Sequence, residues 1–249
     1  MDCLLRRYTI FGVSLLFITL GIGIITNGSL GTSPITSIPY SMSMVFPQLT
    51  LGEFTILFSI LLIIFQWILL GPKVIDRTTK VNLLLEILIS FIFGYLVDFA
   101  MWLFAFLNPG EYWMQIVCVF VGVFTLALGV YLQVVANVVM LPGDGFVYAL
   151  TMKVRRNYGK VRVTSDTTMV IIAAVIGLLG IGTLGGVREG TFISCFLTGF
   201  VARLYMSKLS RLTSILIPGE DLNNISGAEK DASRCRHFDA VAHVAHSRP

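Results

Sequence analysis

Two short runs carry the most distinctive chemistry of this chain: Leu30-Gly31-Thr32-Ser33-Pro34 and Met140-Leu141-Pro142-Gly143-Asp144-Gly145. Glycine bares backbone amides and reaches dihedrals closed to other residues. Amides exposed in this way bind anions, whereas Asp144 can hold a cation or a proton. A plain turn, with Asp144 as its cap, explains the same residues without any ligand. The second group of candidates consists of ionisable residues inside apolar runs, where a charge is costly and faces the protein interior. Asp98 and Arg203 are such residues, and they are complementary in sign. Each also has a simpler reading. Asp98 can bond a neighbouring hydroxyl, and Arg203 can reach the headgroups. Gln133 and Asn137, four residues apart, share one helix face. Arg188 and Glu189 occupy a turn otherwise poor in charge, either as a pair or as a contact for an anionic substrate. Glu86 is expected in the first turn of a span, where the helix dipole favours a carboxylate.

The elements that position these residues follow from hydropathy. Hydrophobic residues make up 55% of the 249 and charged residues 13%, against about 25% charged in soluble domains. The mean hydropathy is +0.84. Apolar runs at 8–27, 52–71, 83–107, 112–136, 166–186 and 190–210 are each long enough to cross about 30 Å of hydrocarbon as a helix. Thr50 to Glu53 has the spacing of a capping box, and Thr164, Ser165 and Asp166 offer cap chemistry before the fifth run. Basic residues alternate along the chain. Arg6 and Arg7 precede the first run, Lys73, Arg77 and Lys80 follow the second, Lys153 to Arg162 follow the fourth, and Lys208 and Arg211 follow the sixth. The intervening segments hold only Arg188. The positive-inside rule therefore places both termini in the cytoplasm. The predicted class is all-α, a multi-pass protein of a bacterial plasma (inner) membrane.

The halves resemble each other. Gly21 and Pro34 have the same spacing as Gly129 and Pro142, and Glu53 and Asp166 then open the next run of each half. Glu86, Gly94 and Asp98 align with Thr191, Gly199 and Arg203. With three spans per half, the second half crosses in the opposite sense, the inverted repeat of many secondary transporters. The expected organisation is a first three-helix repeat at 1–110, a second at 111–212 and a disordered cytoplasmic tail at 213–249. Short interrupted or re-entrant segments begin near Pro34 and Pro142.

The motifs that carry a family likeness are Leu30 to Pro34, Pro142 to Gly145, Gly159-Lys160-Val161 leading to Asp166, and Gly186 to Thr191. Together they resemble the YczE/YitT group of bacterial membrane proteins, in its YczE branch. The likeness implies a plasma-membrane protein and carries no reaction, substrate or catalytic residue with it. Members often have Trp and Asp after the first proline, where this chain has Ile35 and Thr36.

The function expected from these features is secondary transport or export of a small molecule. The alternative is a non-catalytic accessory or regulatory protein acting through a partner. No catalytic residue is expected, because the three histidines all lie in the tail. Without a Walker-type phosphate loop, the chain has no site of that kind for ATP. Cys3, Cys118, Cys195 and Cys235 have no metal-ligand spacing, and no metal or cofactor is expected. The expected surroundings are the bilayer, with a small-molecule substrate, a second copy or a membrane partner as candidate ligands and no nucleic acid. The transport residues expected are Asp98, Arg203, Gly31, Ser33, Pro34, Asn137, Pro142, Gly143, Asp144, Gly145, Arg188 and Glu189.

Overall fold

The computed structural model describes residues 2–70, 77–107, 109–154, 156, 158–184 and 186–208. The tail beyond 208 lies outside the described residues, as do the side chains of 2–4, 77–83, 203 and 207. Eight helices are described: α1 (Asp2–Asn27), α2 (Pro34–Val45), α3 (Leu51–Leu70), α4 (Arg77–Leu103), α5 (Tyr112–Ala136), α6 (Pro142–Val154), α7 (Tyr158–Ile181) and α8 (Glu189–Lys208).

Five of them are long and apolar enough to cross a membrane: Leu5–Asn27, Leu51–Leu70, Leu84–Leu103, Tyr112–Ala136 and Tyr158–Ile181. This is an integral membrane protein. Its outer surface agrees, since Phe65, Ile68, Trp102, Trp113, Leu179 and Phe196 are all exposed, a distribution that water would penalise and lipid would not. The sixth expected span, α8, has 20 residues but does not stand with the other five. Composition is the reason. Thr191, Ser194 and Thr198, with Arg203 and Lys208, dilute an otherwise apolar helix.

Helix α1 is the most buried of the five spans. It packs chiefly along α5 and also touches α4. Small residues allow the close approach. A Cβ on Gly21 would sit 2.6 Å from Leu126 and 2.8 Å from the carbonyl of Gly122, and one on Gly129 would sit 2.6 Å from the backbone of Ile18. Helices in lipid associate through such close backbone packing because no hydrophobic force drives them together there. Around this centre, α2 lies on α7, α6 on α3, α4 on α3 and α8 on α5.

Three local expectations are corrected. Helix α4 begins at Arg77, so Glu86 is more than two turns inside it and not in the first turn. Helix α7 begins at Tyr158, so Thr164, Ser165 and Asp166 are interior residues and not caps. The Thr164 hydroxyl accordingly donates to the Lys160 carbonyl, 2.9 Å away, within the helix. Helix α5 stops at Ala136, and Asn137 takes a left-handed conformation with φ of 45°. Asparagine tolerates that state better than most residues. Asn137 therefore ends the helix and does not share a face with Gln133.

Candidate functional site: two short helices that meet at their N-termini

Both short helices begin with proline, at Pro34 and Pro142. Proline suits a first helical turn, because its fixed φ is helical and the N–H it lacks would be unpaired there. The two starts come together. Ile35, the second residue of α2, lies against Gly143, the second residue of α6, so closely that a Cβ on Gly143 has no room. The expected site residues Pro34, Pro142 and Gly143 thus stand at one junction. A helix N-terminus carries a partial positive charge and unpaired N–H groups, and here two such ends lie close together.

The α2 side is lined with hydroxyls. Thr32 is the hub. Its Oγ1 lies 2.9 Å from Thr26 Oγ1 and 2.9 Å from Thr36 Oγ1, and Ser33 Oγ is 2.7 Å from Thr36 Oγ1. Gly31, at φ of 131°, allows the chain to turn against α8. The Thr32 amide there donates to Thr191 Oγ1 at 3.1 Å, and the Gly190 amide donates to the Leu30 carbonyl at 2.9 Å. Ser194 Oγ donates to the Thr32 carbonyl at 3.2 Å. Arg188 closes the rim by donating to the Ser29 carbonyl at 2.8 Å, with Glu189 3.8 Å away. Both side chains are exposed.

The α6 side is charged. Asp144, in the first turn, accepts from Arg162 of α7 at 2.5 Å and from Gln133 of α5 at 3.3 Å. Arg162 also donates to Tyr158 Oη at 2.9 Å and lies 4.0 Å from Asp166. The neighbouring glycine has a different partner, since a Cβ on Gly145 would lie 2.8 Å from Gln66 Oε1 of α3. Gln66 Nε2 in turn donates to Glu86 Oε1 of α4 at 3.4 Å. Four buried side-chain atoms lack a partner among the described residues: Gln66 Oε1, Glu86 Oε2, Gln133 Oε1 and Ser41 Oγ. Gln133 bonds to the first turn of α6, Gln66 lies against it, and Glu86 bonds to Gln66.

Asp98 stands apart from this junction. Its Oδ1 accepts from the Gly52 amide at 2.7 Å and its Oδ2 from Thr50 Oγ1 at 2.6 Å. The Glu53 amide donates to Thr50 Oγ1 at 3.1 Å, and the Thr50 amide donates to Glu53 Oε2 at 2.9 Å. The expected capping box at the start of α3 is present, and Asp98 reinforces it from α4. This matches the simpler reading of Asp98, as a carboxylate that bonds a nearby hydroxyl. Arg203 lies in α8 with its side chain outside the described residues. Asn137 is exposed at the end of α5 and serves as its stop.

Hydropathy puts Arg162 between the fourth and fifth runs and singles out neither Tyr158 nor Gln66. A signal existed. Tyr158, Arg162 and Asp166 are spaced by four, which places them on one face of any helix that starts early enough. The apolar window concealed that start, because the first turns of α7 are polar.

Comparison with known proteins gives the chain a family and leaves its chemistry open. Residues 5–207 match the family of unknown function DUF6198, and the chain belongs to that family. It is 28% identical to the uncharacterized protein YyaS of Bacillus subtilis (strain 168) over 214 residues, which is 82% of this chain and 98% of that protein. No solved structure matches.

Proposed function

We propose that this protein is a secondary transporter of a small molecule, built as an inverted repeat with its site where α2 and α6 meet. The meeting of Ile35 and Gly143 carries the reading. Interrupted helices whose positive ends face each other at equivalent points of two halves are the usual site of such carriers. In this reading α8 is the sixth span, and the repeats fall at 1–110 and 111–212.

Reciprocal contacts support a two-fold relation. The offset that carries Gly21 to Gly129 also carries Ser14 to Gly122, Ile18 to Leu126 and Ile35 to Gly143. Gly21 packs against Leu126 and Gly122, and Gly129 packs against Ile18 and Ser14. A two-fold axis requires this exchange of partners. The same swap exchanges α2 on α7 with α6 on α3, and α1 on α4 with α5 on α8. One pair breaks the pattern, because α3 packs closely on α4 while α7 barely touches α8. A cleft of about 270 Å³ lies there, between Val170, Ile171, Ala174, Val187 and Phe192. A carrier needs one loosely held pair that can move, and α7 with α8 is that pair here.

The site divides the work. Hydroxyls of Thr32, Ser33 and Thr36 offer donors and acceptors to an uncharged part of a substrate. The Asp144–Arg162 pair can exchange its internal bond for a charged substrate group. Catalysis has no part in this reading. Both termini are cytoplasmic, and the likeness to the YczE/YitT group belongs to the same proposal.

The test is a ligand screen by thermal stability of the purified protein, followed by flux of any hit in proteoliposomes. Ligands of the folded form raise the apparent Tm. A stabilising ligand that crosses the membrane with wild type and not with Asp144→Asn supports the carrier. A stabilising ligand that Asp144→Asn carries at the wild-type rate sinks the role given to Asp144. No stabilising ligand in a broad library, with a well-folded baseline, favours the accessory-protein alternative.

A further inference from the structure

We propose that Glu86 and Gln66 form a binding site for one monovalent cation, either a proton or an alkali ion. Glu86 is 5% exposed and Gln66 is 7% exposed. Among the described residues, the carboxylate receives one long hydrogen bond, 3.4 Å from Gln66 Nε2, and its Oε2 has no partner. The orientation of the amide follows from chemistry. Turned around, Gln66 would aim its carbonyl oxygen at the carboxylate. Its Oε1 is therefore left free, also without a partner. Two buried acceptors on adjoining residues lack a donor among the described residues.

Among the described residues, the surroundings do not supply the missing charge. Helix α4 packs against α1, α3 and α6. Their charged groups with described side chains are Arg6 and Arg7 of α1, Glu53 of α3, and Asp144 and Lys153 of α6. None is paired with Glu86 among the described residues. Asp144 differs sharply, since Arg162 already meets it. An ionised carboxylate with a single neutral partner is costly away from water, and a bound cation removes that cost. A proton on Glu86 Oε1, with the amide turned, donates to Gln66 Oε1. An alkali ion uses the same two oxygens. The charge balance favours a single positive charge, because no group of three or more His, Cys, Asp or Glu residues stands together among the described residues.

Gly145 joins this site to the proposed carrier. A Cβ on Gly145, in the first turn of α6, would lie 2.8 Å from Gln66 Oε1, so a side chain there would have to displace the amide. Occupancy of Glu86 therefore bears on the turn that also presents Asp144. The binding itself does not depend on the transporter reading; its use as the coupling ion does.

The experiment uses purified full-length protein in lipid nanodiscs and reads two signals. The first is the pH-difference infrared spectrum in the carboxyl C=O region. The second is the apparent Tm in sodium, potassium or N-methylglucamine chloride at constant ionic strength. A protonated-carboxyl band present in wild type, lost in Glu86→Gln and moved in Glu86→Asp assigns a proton. A Tm raised several degrees by sodium or potassium in wild type and unmoved in Glu86→Gln assigns an alkali ion. If both variants match wild type in band and cation response, the proposal is overturned. Should Glu86→Gln fail to fold, Glu86→Asp decides alone: an unmoved band and an unchanged cation response overturn the proposal. Neither signal reads flux, so failure here is distinct from failure of the transporter.

Discussion

Removing Arg162 should cost more than removing its partner Asp144, and the two losses should not add. Arg162 meets Asp144 at 2.5 Å and has Asp166 at 4.0 Å as a second carboxylate. In Arg162→Met both carboxylates lose their only described cation. Breaking a buried pair from one side costs roughly 3–5 kcal/mol. The Arg162 side chain is 38% exposed and that of Asp144 20%, so the lower end applies, about 3 kcal/mol. In Asp144→Asn the guanidinium keeps Tyr158 at 2.9 Å and Asp166 nearby. That loss should be about 1–2 kcal/mol, near the value of one charged hydrogen bond. The double variant Asp144→Asn/Arg162→Met should then fall short of the summed losses by about 1–3 kcal/mol, the range for residues in direct contact. Reversible unfolding in mixed micelles measures all four corners of the cycle. Additivity within about 0.5 kcal/mol, the behaviour of independent sites, would refute the pair as drawn. Equal losses for the two single variants would refute the role given to Asp166.

Four other outcomes follow from the same structure. Thr50→Val removes the hydroxyl that joins the α3 cap to Asp98, and should cost about 1 kcal/mol; Asp98→Asn should lower Tm while leaving any flux intact, and abolished flux in a folded variant would return Asp98 to the transport site. Gly31→Ala should lower Tm, because φ of 131° is strained for alanine and its Cβ would lie 2.9 Å from the Thr191 amide; an unchanged Tm would show that the loop rearranges at no cost. In a background without native cysteines, Ser29→Cys and Arg156→Cys should label from opposite sides of the membrane, with Arg156→Cys reached from the cytoplasm. Labelling of both from one side would overturn the span count and orientation proposed above.

Hydropathy alone located five spanning helices, because a lipid-facing helix must be apolar over about 20 residues whatever its neighbours are. The fourth run, 112–136, coincides with α5. The two prolines also marked the short helices correctly, since proline shapes the chain locally. Helix starts were harder to read. The first turns of α4 and α7 are polar and project beyond the apolar window, so hydropathy puts Glu86 in the first turn of a span and Arg162 between two spans. Burial and pairing depend on which helix lies opposite, and the sequence of one helix does not contain that information. Only the packing of α6 on α3 and α7 brings Gln66 beside Gly145 and Arg162 beside Asp144. The sequence determined that the chain lives in lipid and where it breaks its helices. The tertiary structure decided which polar groups are enclosed there, because enclosure is a property of neighbours and not of residue type.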